Sequence, residues 1–490
     1  MHRRPAPLGV RCAPCVRAIA ERPASGSRAR SARRETISVR AKLGSFFGWT
    51  LPGLGIKRWA LLVAFGLVLI LNAITRWFVA EGSGIDINEV LDSIVADYFP
   101  PAYLTAILAI AGIVFTIVGT RMWSRAVTRI TLGRRTGGVR DALTGLRLQQ
   151  GYKIVAIGGG TGLSTLLRGL KRRTSNLTAI VTVSDDGGSS GRLQKELGVL
   201  PPGDVRNCLV ALADDEALVT DLFRYRFTEG EGLTGHSFGN LFLAAMSGVT
   251  GNFDTAIKES SRVLNIVGRV LPATLSVARL CAQLRDGTIV EGESQIPLAR
   301  GKIERVFFDP ARAEPLDEVV AAIRDADAIV LGPGSLFTSI LPNFLVDRIA
   351  AEVANAHAVK LYVCNVMTQP GETDGMTAAD HVEALLRNAG ARVFDYVVVN
   401  DEPPSRLAAM YAEEGQLPVQ ADAERIAPLG VEAVCASVIS ETKTVRHDPE
   451  KLATVVVSVI DRVVADRATL MKPASAYRQG EAATRLRSSS

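Results

Sequence analysis

The stretch KIVAIGGGTGLSTLLRGL, residues 153–170, decides the fold class. Lys153–Ile157 is a short apolar run typical of a buried strand, and Leu163–Leu170 has the spacing of a helix. The glycine-rich residues between them let successive backbone N–H groups point at an anion beside the helix N-terminus. The spacing matches neither the dinucleotide-binding fingerprint nor a P-loop. The stretch therefore predicts a strand, a phosphate-binding loop and a helix; the alternative is that the glycines only form a tight turn.

The same alternation continues toward the C-terminus. Leu177–Val183 is predicted to be a second buried strand. Further strands are predicted at Ala328–Leu331, Lys360–Asn365 and Asp395–Asn400, and helices at 344–356 and 377–389. Continuous apolar strands between amphipathic helices predict a parallel sheet covered on both faces. The fold class is therefore α/β, with one domain over residues 151–466 and a polar tail at 467–490.

Five further polar or glycine-rich loops follow in this region, at 184–192, 201–207, 235–240, 332–339 and 365–373. Several come directly after predicted strands, so they would meet at the carboxyl edge of the sheet, where open α/β sheets bind ligands. The candidate ligand-binding residues of the loops are Gly158, Gly159, Gly160, Thr161, Gly162, Asp185, Ser189, Arg192, Asn207, His236, Ser237, Asn240, Gly334 and Ser335.

Charged side chains in these loops allow more than one interpretation. Asp185 and Asp186 could hold Mg²⁺ or bind a ribose hydroxyl, or one of them could cap the next helix. Arg192 could donate to phosphate or lie in solvent, and His236 could be an acid or a structural histidine. The sequence has no H-E-x-x-H string, and its five histidines are too few for a metal cage, so a metal-dependent hydrolase is disfavoured.

Two uncharged apolar segments precede the α/β domain, Trp59–Thr75 and Ala102–Thr120. Each approaches the ~20 residues that cross a bilayer, which predicts two transmembrane helices, at about 59–76 and 102–120, in a hairpin over residues 46–125. The alternative is a buried helical hairpin. The connecting segment 79–99 carries five acidic and no basic residues, whereas the outer flanks are basic. The positive-inside rule then places both termini and the α/β domain in the cytoplasm.

The basic excess of the chain lies beside these apolar segments. The net charge is +6, and residues 1–42 alone hold eleven Lys or Arg. Residues 1–45 are predicted to be a basic, disordered N-terminus, and 126–150 a basic linker. A basic flank of this kind faces anionic lipid, so we expect a membrane and no nucleic acid as partner.

Taken together, the motifs resemble the CofD/YvcK-like family and, within it, the bacterial YvcK branch. The strings that carry the resemblance are KIVAIGGGTGLSTLLRGLK, SDDGGSSGR, GHSFGNLFLAAM, GPGSLFTS and NVMTQPGETDG. The resemblance implies a Rossmann-like three-layer fold. Soluble members of the family begin near the first strand, so the predicted membrane hairpin is an addition to the family's domain. Together with the bacterial branch, the hairpin predicts a location at the bacterial inner membrane.

The two branches of the family imply different functions. YvcK proteins are described as gluconeogenesis factors that affect cell shape and bind UDP-sugars, and the nucleotide-sugar contacts correspond to Tyr411 and Arg446 here. CofD transfers a phospholactyl group to a deazaflavin-cofactor precursor with Mg²⁺, in which case Asp185 and Asp186 would be the catalytic and metal-binding residues. We expect a membrane-tethered, UDP-sugar-binding regulator of carbon metabolism and envelope synthesis, with the Mg²⁺-dependent transferase as the alternative.

Other functional expectations are less specific. A nicotinamide-dependent dehydrogenase is disfavoured by the irregular glycine loop. Mg²⁺ is expected only for the transferase, and no other cofactor is indicated. A homo-oligomer is compatible with the sequence.

Overall fold

The computed structural model describes residues 57–80, 101–131, 145–214, 216–442 and 444–470. They fall into two compact units, which meet in sequence between Leu146 and Arg147. The predictions of a disordered N-terminus at 1–45, of an acidic loop at 79–99 and of a polar tail at 467–490 concern segments that lie wholly or mainly outside the described residues. The same holds for most of the linker predicted at 126–150.

The first unit contains two helices, α1 (Lys57–Ala80) and α2 (Pro101–Thr131). They run antiparallel and approach closely at glycines. A Cβ atom on Gly66 would lie 2.8 Å from the carbonyl oxygen of Gly112, and one on Gly119 would lie 2.7 Å from the Val63 side chain. Many of the remaining apolar side chains of both helices are exposed, including Leu61, Phe65, Val68, Leu71, Ile107, Ile110 and Ile113.

One segment of this unit has the length and composition to cross a membrane. Thr105–Ser124 spans 20 residues with a mean hydropathy of 1.8, and only 11% of its most apolar window is buried. Trp59–Thr75 is a shorter apolar helix. The prediction of two membrane-crossing helices is therefore not supported as stated: among the described residues, only the second helix has an apolar stretch long enough to cross a membrane.

The second unit is built around twelve strands. They are β1 Ile154–Gly158, β2 Leu177–Val181, β3 Arg269–Pro272, β4 Arg279–Leu284, β5 Ile289–Glu291, β6 Ile303–Asp309, β7 Ala328–Leu331, β8 Val359–Val363, β9 Tyr396–Asn400, β10 Glu432–Ala436, β11 Ile439–Glu441 and β12 Val445–His447. Seven of them form one sheet of order β10-β9-β8-β7-β1-β2-β3, with all neighbouring pairs parallel. The others form an antiparallel sheet, β5-β4-β6, and the hairpin β11-β12.

Helices cover both faces of the seven-stranded sheet. They are α3 Gly160–Leu170, α4 Gly188–Leu197, α5 Gly203–Leu212, α6 Glu216–Arg224, α7 Phe238–Thr250, α8 Phe253–Val263, α9 Asp317–Arg324, α10 Pro342–Leu345, α11 Ile349–Asn355, α12 Ala378–Ala389, α13 Ala408–Glu413, α14 Ala423–Ile426 and α15 Pro449–Leu470. Successive residues of β1 face opposite cores: Ile154 and Ala156 pack with α3, α5 and α15, whereas Val155 and Ile157 pack with α9, α11 and α12. This alternation produces the three layers.

The predicted α/β fold with a parallel sheet is confirmed. The helix predicted at 344–356 is wrong in part, because the chain turns between α10 and α11, where Arg348 has a left-handed φ of 68°. The antiparallel sheet β5-β4-β6 was not predicted. Its strands expose Ile289 and carry charged side chains at exposed positions such as Arg279, so they lack the continuous apolar run by which the parallel strands were found.

The contact between α3 and α15 gives a stability prediction. A Cβ atom on Gly169 would lie 2.0 Å from the Pro449 carbonyl oxygen, whereas one on Gly248 in α7 would meet nothing within 4 Å. We expect Gly169→Ala to destabilise the second unit by about 1–3 kcal/mol through overpacking. The matched control, Gly248→Ala, should stabilise it by up to about 1 kcal/mol through helix propensity. Urea unfolding followed by circular dichroism measures both; equal effects would contradict the prediction.

Candidate functional site

The order of the strands locates a crevice at the carboxyl edge of the sheet. From β1 the chain adds β2 and β3 on one side, whereas β7 to β10 lie on the other side. The loops after β1 and β7 therefore leave the sheet as neighbours and diverge, which is where doubly wound sheets bind ligands. A cavity of about 460 Å³ opens at this point.

Residues from eight segments of the chain line the cavity. They are Gly160, Thr161, Gly162, Thr165, Asp185, Asp204, Asn207, Glu293, Pro333, Gly334, Ser335, Ser339, Asn365, Val366, Met367, Thr368, Gln369, Gln416, Val445, Arg446 and His447. Half of the sixteen predicted ligand-binding residues are among them: Gly160, Thr161, Gly162, Asp185, Asn207, Gly334, Ser335 and Arg446. Five of the six predicted loops contribute to the lining, whereas the loop at 235–240 does not.

The first glycine loop is held tightly against its neighbours. A Cβ atom on Gly162 would lie 2.2 Å from the Pro333 carbonyl oxygen, so the loops after β1 and β7 touch through their backbones. Below the loop, Asn343 donates from Nδ2 to the Gly158 carbonyl over 3.3 Å. Gly160 has a φ of 65° and donates its N–H to the Asp204 carboxylate. The first turn of α3 thus faces the cavity, with backbone N–H groups at its start.

The loops after β7 and β8 are cross-linked by amide side chains. Asn365 accepts the Gly334 N–H through Oδ1 over 3.0 Å and donates to the Gly334 carbonyl over 2.8 Å. Gln369 accepts from Asn365 and donates to the Ser335 hydroxyl over 2.7 Å. These bonds fix the position of Gly334 and Ser335 at the cavity wall. Asn365 and Gln369 were seen only as part of a polar loop in the sequence.

Carboxyl groups dominate the electrostatics of the cavity. Burial, followed by the charge of Asp185, raises the pKa of Asp204 to about 7. Burial and the charges of Asp185 and Asp204 raise the pKa of Glu293 to about 8. Outside the cavity lining, burial raises the pKa of Glu372 to about 7, although Thr338 donates to it. Near neutral pH the cavity therefore holds partly protonated carboxyl groups rather than a full set of negative charges.

The two adjacent aspartates point in different directions. Asp185 lines the cavity and accepts the Gly187 N–H through Oδ1 over 3.0 Å. Asp186 is not among the lining residues; its Oδ1 accepts the Ser294 N–H over 2.9 Å and so fixes the segment that carries Glu293. In the described part of the chain, no group of three or more His, Cys, Asp or Glu side chains could hold a metal ion. Of the two aspartates, only Asp185 therefore lies at the cavity wall.

Arg446 reaches the cavity from the hairpin β11-β12, where it pairs with Ser440. Tyr411 is not in the lining; its hydroxyl accepts the Val445 N–H over 3.1 Å, so it contacts the hairpin backbone. His447, the next residue, is buried, and burial lowers its pKa to about 4, which keeps the imidazole neutral. The hairpin thus brings one permanent cation to a cavity rich in carboxyl groups.

The remaining predicted residues lie beside the cavity in a network of their own. Ser189 contacts His236 Nδ1 at 2.9 Å, and both side chains are buried. Arg206 donates to Ser237 over 2.7 Å and to Asn240 over 3.0 Å.

Other bonds tie this network to the surrounding loops. Arg192 donates to the Thr234 carbonyl over 2.9 Å. Burial and the charge of Arg192 lower the pKa of His236. Gly158 and Gly159 are buried at the end of β1 and are also outside the lining.

Sequence reasoning missed three important residues. Asp204 lies in the predicted loop at 201–207 but was not among the predicted ligand-binding residues; its carboxylate accepts the Gly160 N–H and thereby links α5 to the first glycine loop. Glu293 gave no signal, because it follows an antiparallel strand that lacks an apolar pattern. Asn343, under the glycine loop, was also missed; its position within an apolar stretch, SILPNFLV, was the only available hint.

Comparison with known proteins identifies the family. The family model for 2-phospho-L-lactate transferase CofD matches residues 154–439, more than half of the chain, so the chain belongs to the CofD family. The gluconeogenesis factor of Bacillus subtilis is 51% identical over 310 residues, covering 63% of this chain and 98% of that protein. A crystal structure of a UPF0052-family protein from Bacillus halodurans is 50% identical, covers 62% of this chain and 99% of that one, and has a TM-score of 0.61. These matches confirm the family resemblance.

Longer relatives share more than the α/β domain. A Nostoc sp. protein, provisionally named a gluconeogenesis factor, is 48% identical over 424 residues, covering 84% of this chain and 92% of that protein. That share is about 412 of the 490 residues, whereas only 340 residues follow position 150. The match therefore includes residues before the α/β domain, and the N-terminal extension is not peculiar to this chain.

The raised pKa of Glu293 predicts a pH-dependent stability difference. Its folded pKa of about 8 lies above the ordinary value of 4.5, so the stability that the protonated form contributes is lost as pH rises through 8. A glutamine side chain at this position cannot ionise. The free energy of unfolding of Glu293→Gln, taken relative to that of the wild type, should therefore rise by about 2 kcal/mol from pH 6 to pH 9. Urea unfolding at both pH values measures this, with Glu383→Gln on α12 as control. A constant difference for both variants would refute the assignment.

Proposed function

We propose that this member of the CofD family is a nucleotide-sugar-binding regulator of the gluconeogenesis-factor type, tethered to the bacterial inner membrane. The observation that carries the proposal is the cavity at the switch point of the sheet. Two glycine-rich loops and Arg446 meet there. The relatives named gluconeogenesis factors are about half identical over the whole α/β domain, which supports the regulatory assignment.

The diphosphate and the rings of a nucleotide sugar would contact different parts of the cavity. A diphosphate would lie at Gly160–Gly162, against N–H groups of the first turn of α3, with Gly334 and Ser335 opposite. Arg446 would donate to it from the hairpin side. Val366, Met367 and Val445 offer an apolar wall of the kind that a base or sugar ring packs against.

The charge balance of the cavity allows an anion to bind. Asp185, Asp204 and Glu293 would repel a diphosphate if all were ionised. Because the pKa values of Asp204 and Glu293 lie near or above neutrality, these groups can be protonated and can donate to a ligand oxygen. Binding of a UDP-sugar should therefore weaken as pH rises above 8.

A ligand that is bound but not broken down distinguishes the regulator from the transferase alternative. The transferase needs a metal-bound diphosphate, and the separation of Asp186 from the cavity does not favour the aspartate pair as its ligand set. A bound nucleotide sugar would then act by changing the contacts of the protein with a partner.

Arg446→Ala tests the proposed ligand contact. Full-length protein in detergent is titrated calorimetrically with UDP-N-acetylglucosamine, with and without Mg²⁺, and the ligand is then recovered and chromatographed. We expect the wild type to bind and return the ligand intact. Loss of a charge-assisted bond to phosphate should weaken binding about tenfold or more.

The control for this titration is Arg312→Ala, an exposed arginine outside the cavity lining, which should bind like the wild type. Absence of binding to any UDP-sugar would refute the proposal. Mg²⁺-dependent breakdown of the ligand that disappears in Asp185→Asn would support the transferase.

Membrane tethering is tested by fractionation of cells. The exposed apolar faces of α1 and α2 and the span Thr105–Ser124 support an anchor in the bilayer. We expect the full chain to remain in the membrane pellet after washing with alkaline carbonate, whereas a chain that begins at Arg147 should appear in the supernatant. Release of the full chain by carbonate would contradict an integral anchor.

A further inference from the structure

The hairpin that carries Arg446 is attached to the domain by one carboxylate. Glu441, at the end of β11, accepts three consecutive backbone N–H groups. Ser405 donates to Oε1 over 2.8 Å, and Arg406 and Leu407 donate to Oε2 over 2.8 Å and 3.2 Å. These donors immediately precede α13. The bonds lower the pKa of Glu441, with the Ser405 N–H as the main cause, so the carboxylate is charged at neutral pH.

The attachment is reciprocal. The Arg406 guanidinium donates back to the carbonyl oxygens of Glu441 and Thr442. From α13, Tyr411 accepts the Val445 N–H on the other strand of the hairpin. Both strands are therefore bonded to the segment 405–411.

A small apolar cluster supports this junction. It contains Val366, Met367, Ile439 and Val445, with Leu407 and Tyr411 packed against it, and it is separate from the two main cores. Val366, Met367 and Val445 also line the cavity. The junction and one wall of the cavity are thus built from the same side chains.

Arg446 depends on this junction for its position. In the described part of the chain, its guanidinium makes neither a hydrogen bond nor an ion pair, and the residue is exposed. No neighbouring side chain therefore holds the guanidinium at the cavity; the backbone of the hairpin does. Glu441 lies five residues away, directly opposite Val445 in the hairpin.

We propose that Glu441 is a positioning residue, which holds the hairpin against segment 405–407 so that Arg446 faces an anionic ligand in the cavity. This inference rests on the proposed function only for the nature of the ligand. Glu441 is outside the cavity lining, so it acts through the hairpin and not by contact with the ligand. Its removal lowers affinity because part of the binding free energy is then used to order the hairpin.

The first test needs no ligand. Amide hydrogen exchange of the full chain is compared between the wild type and Glu441→Gln, whose NH₂ group cannot accept an N–H, so that at least one of the three bonds to segment 405–407 is lost in either orientation of the amide. We expect at least tenfold faster exchange at residues 405–407 and 439–447 and unchanged exchange in β1 and β7. Glu424→Gln, at an exposed site on α14, is the control. Unchanged exchange at 405–407 and 439–447 in Glu441→Gln overturns the inference.

The second test separates a positioning role from a general loss of stability. In the wild-type background, Glu441→Gln should weaken binding of UDP-N-acetylglucosamine about tenfold. In the Arg446→Ala background it should weaken binding less than twofold, because both changes remove the same contact. Equal effects in the two backgrounds, or no effect in the wild type, overturn the inference.

Two further outcomes are also decisive. If the wild type binds no UDP-sugar, the proposed function fails, and the exchange measurement alone decides whether Glu441 anchors the hairpin. If Glu441→Gln does not fold, Arg406→Ala replaces it, since this variant removes the reciprocal bonds to residues 441 and 442 and leaves the carboxylate. Arg406→Ala should show the same faster exchange and the same smaller effect on binding in the Arg446→Ala background. Absence of this pattern overturns the inference.

Discussion

The parallel pairing of β1 with β7 is the constraint on which the site depends. The register aligns Ile157 with Leu331, and the Gly332 N–H donates to the Ile157 carbonyl over 2.8 Å. Both strands thus end at the same level, and their glycine loops leave side by side, with Gly162 against Pro333. Every other loop of the cavity is arranged around this contact. A side chain at Gly162 would separate the two loops and with them the two walls of the cavity.

The electrostatics of the cavity follow from the same close packing. Because the loops after β1 and β2 and the start of α5 approach closely, Asp185 and Asp204 lie in one poorly solvated space, and Glu293 joins them from the antiparallel sheet. Proximity and burial favour protonation of two of these three carboxyl groups. A cavity that would otherwise repel anions can therefore receive one, while Arg446 adds a fixed positive charge from a separately anchored hairpin.

Local pattern was enough to predict the elements that are buried on both faces. β1 and β7 are apolar runs that lead directly into glycine, β2 is a largely apolar run, and the position of the loops directly after these strands predicted that the loops would meet. Local sequence pattern could not show that Asp186 turns toward Ser294 while Asp185 faces the cavity, because the position of Asp186 depends on a loop more than 100 residues away. Nor could it reveal Glu293, which reaches the site only through the antiparallel pairing of β4 with β5 and β6.

A crystal structure of the full chain with UDP-N-acetylglucosamine would locate the ligand. We expect an intact ligand in the cavity between β1 and β7, with its diphosphate within hydrogen-bond distance of the backbone N–H groups of Gly160–Gly162 and of the Arg446 guanidinium. A ligand bound elsewhere on the chain, or a diphosphate placed away from both glycine loops, would contradict it. So would a cleaved ligand in the cavity, which would instead identify a transfer reaction.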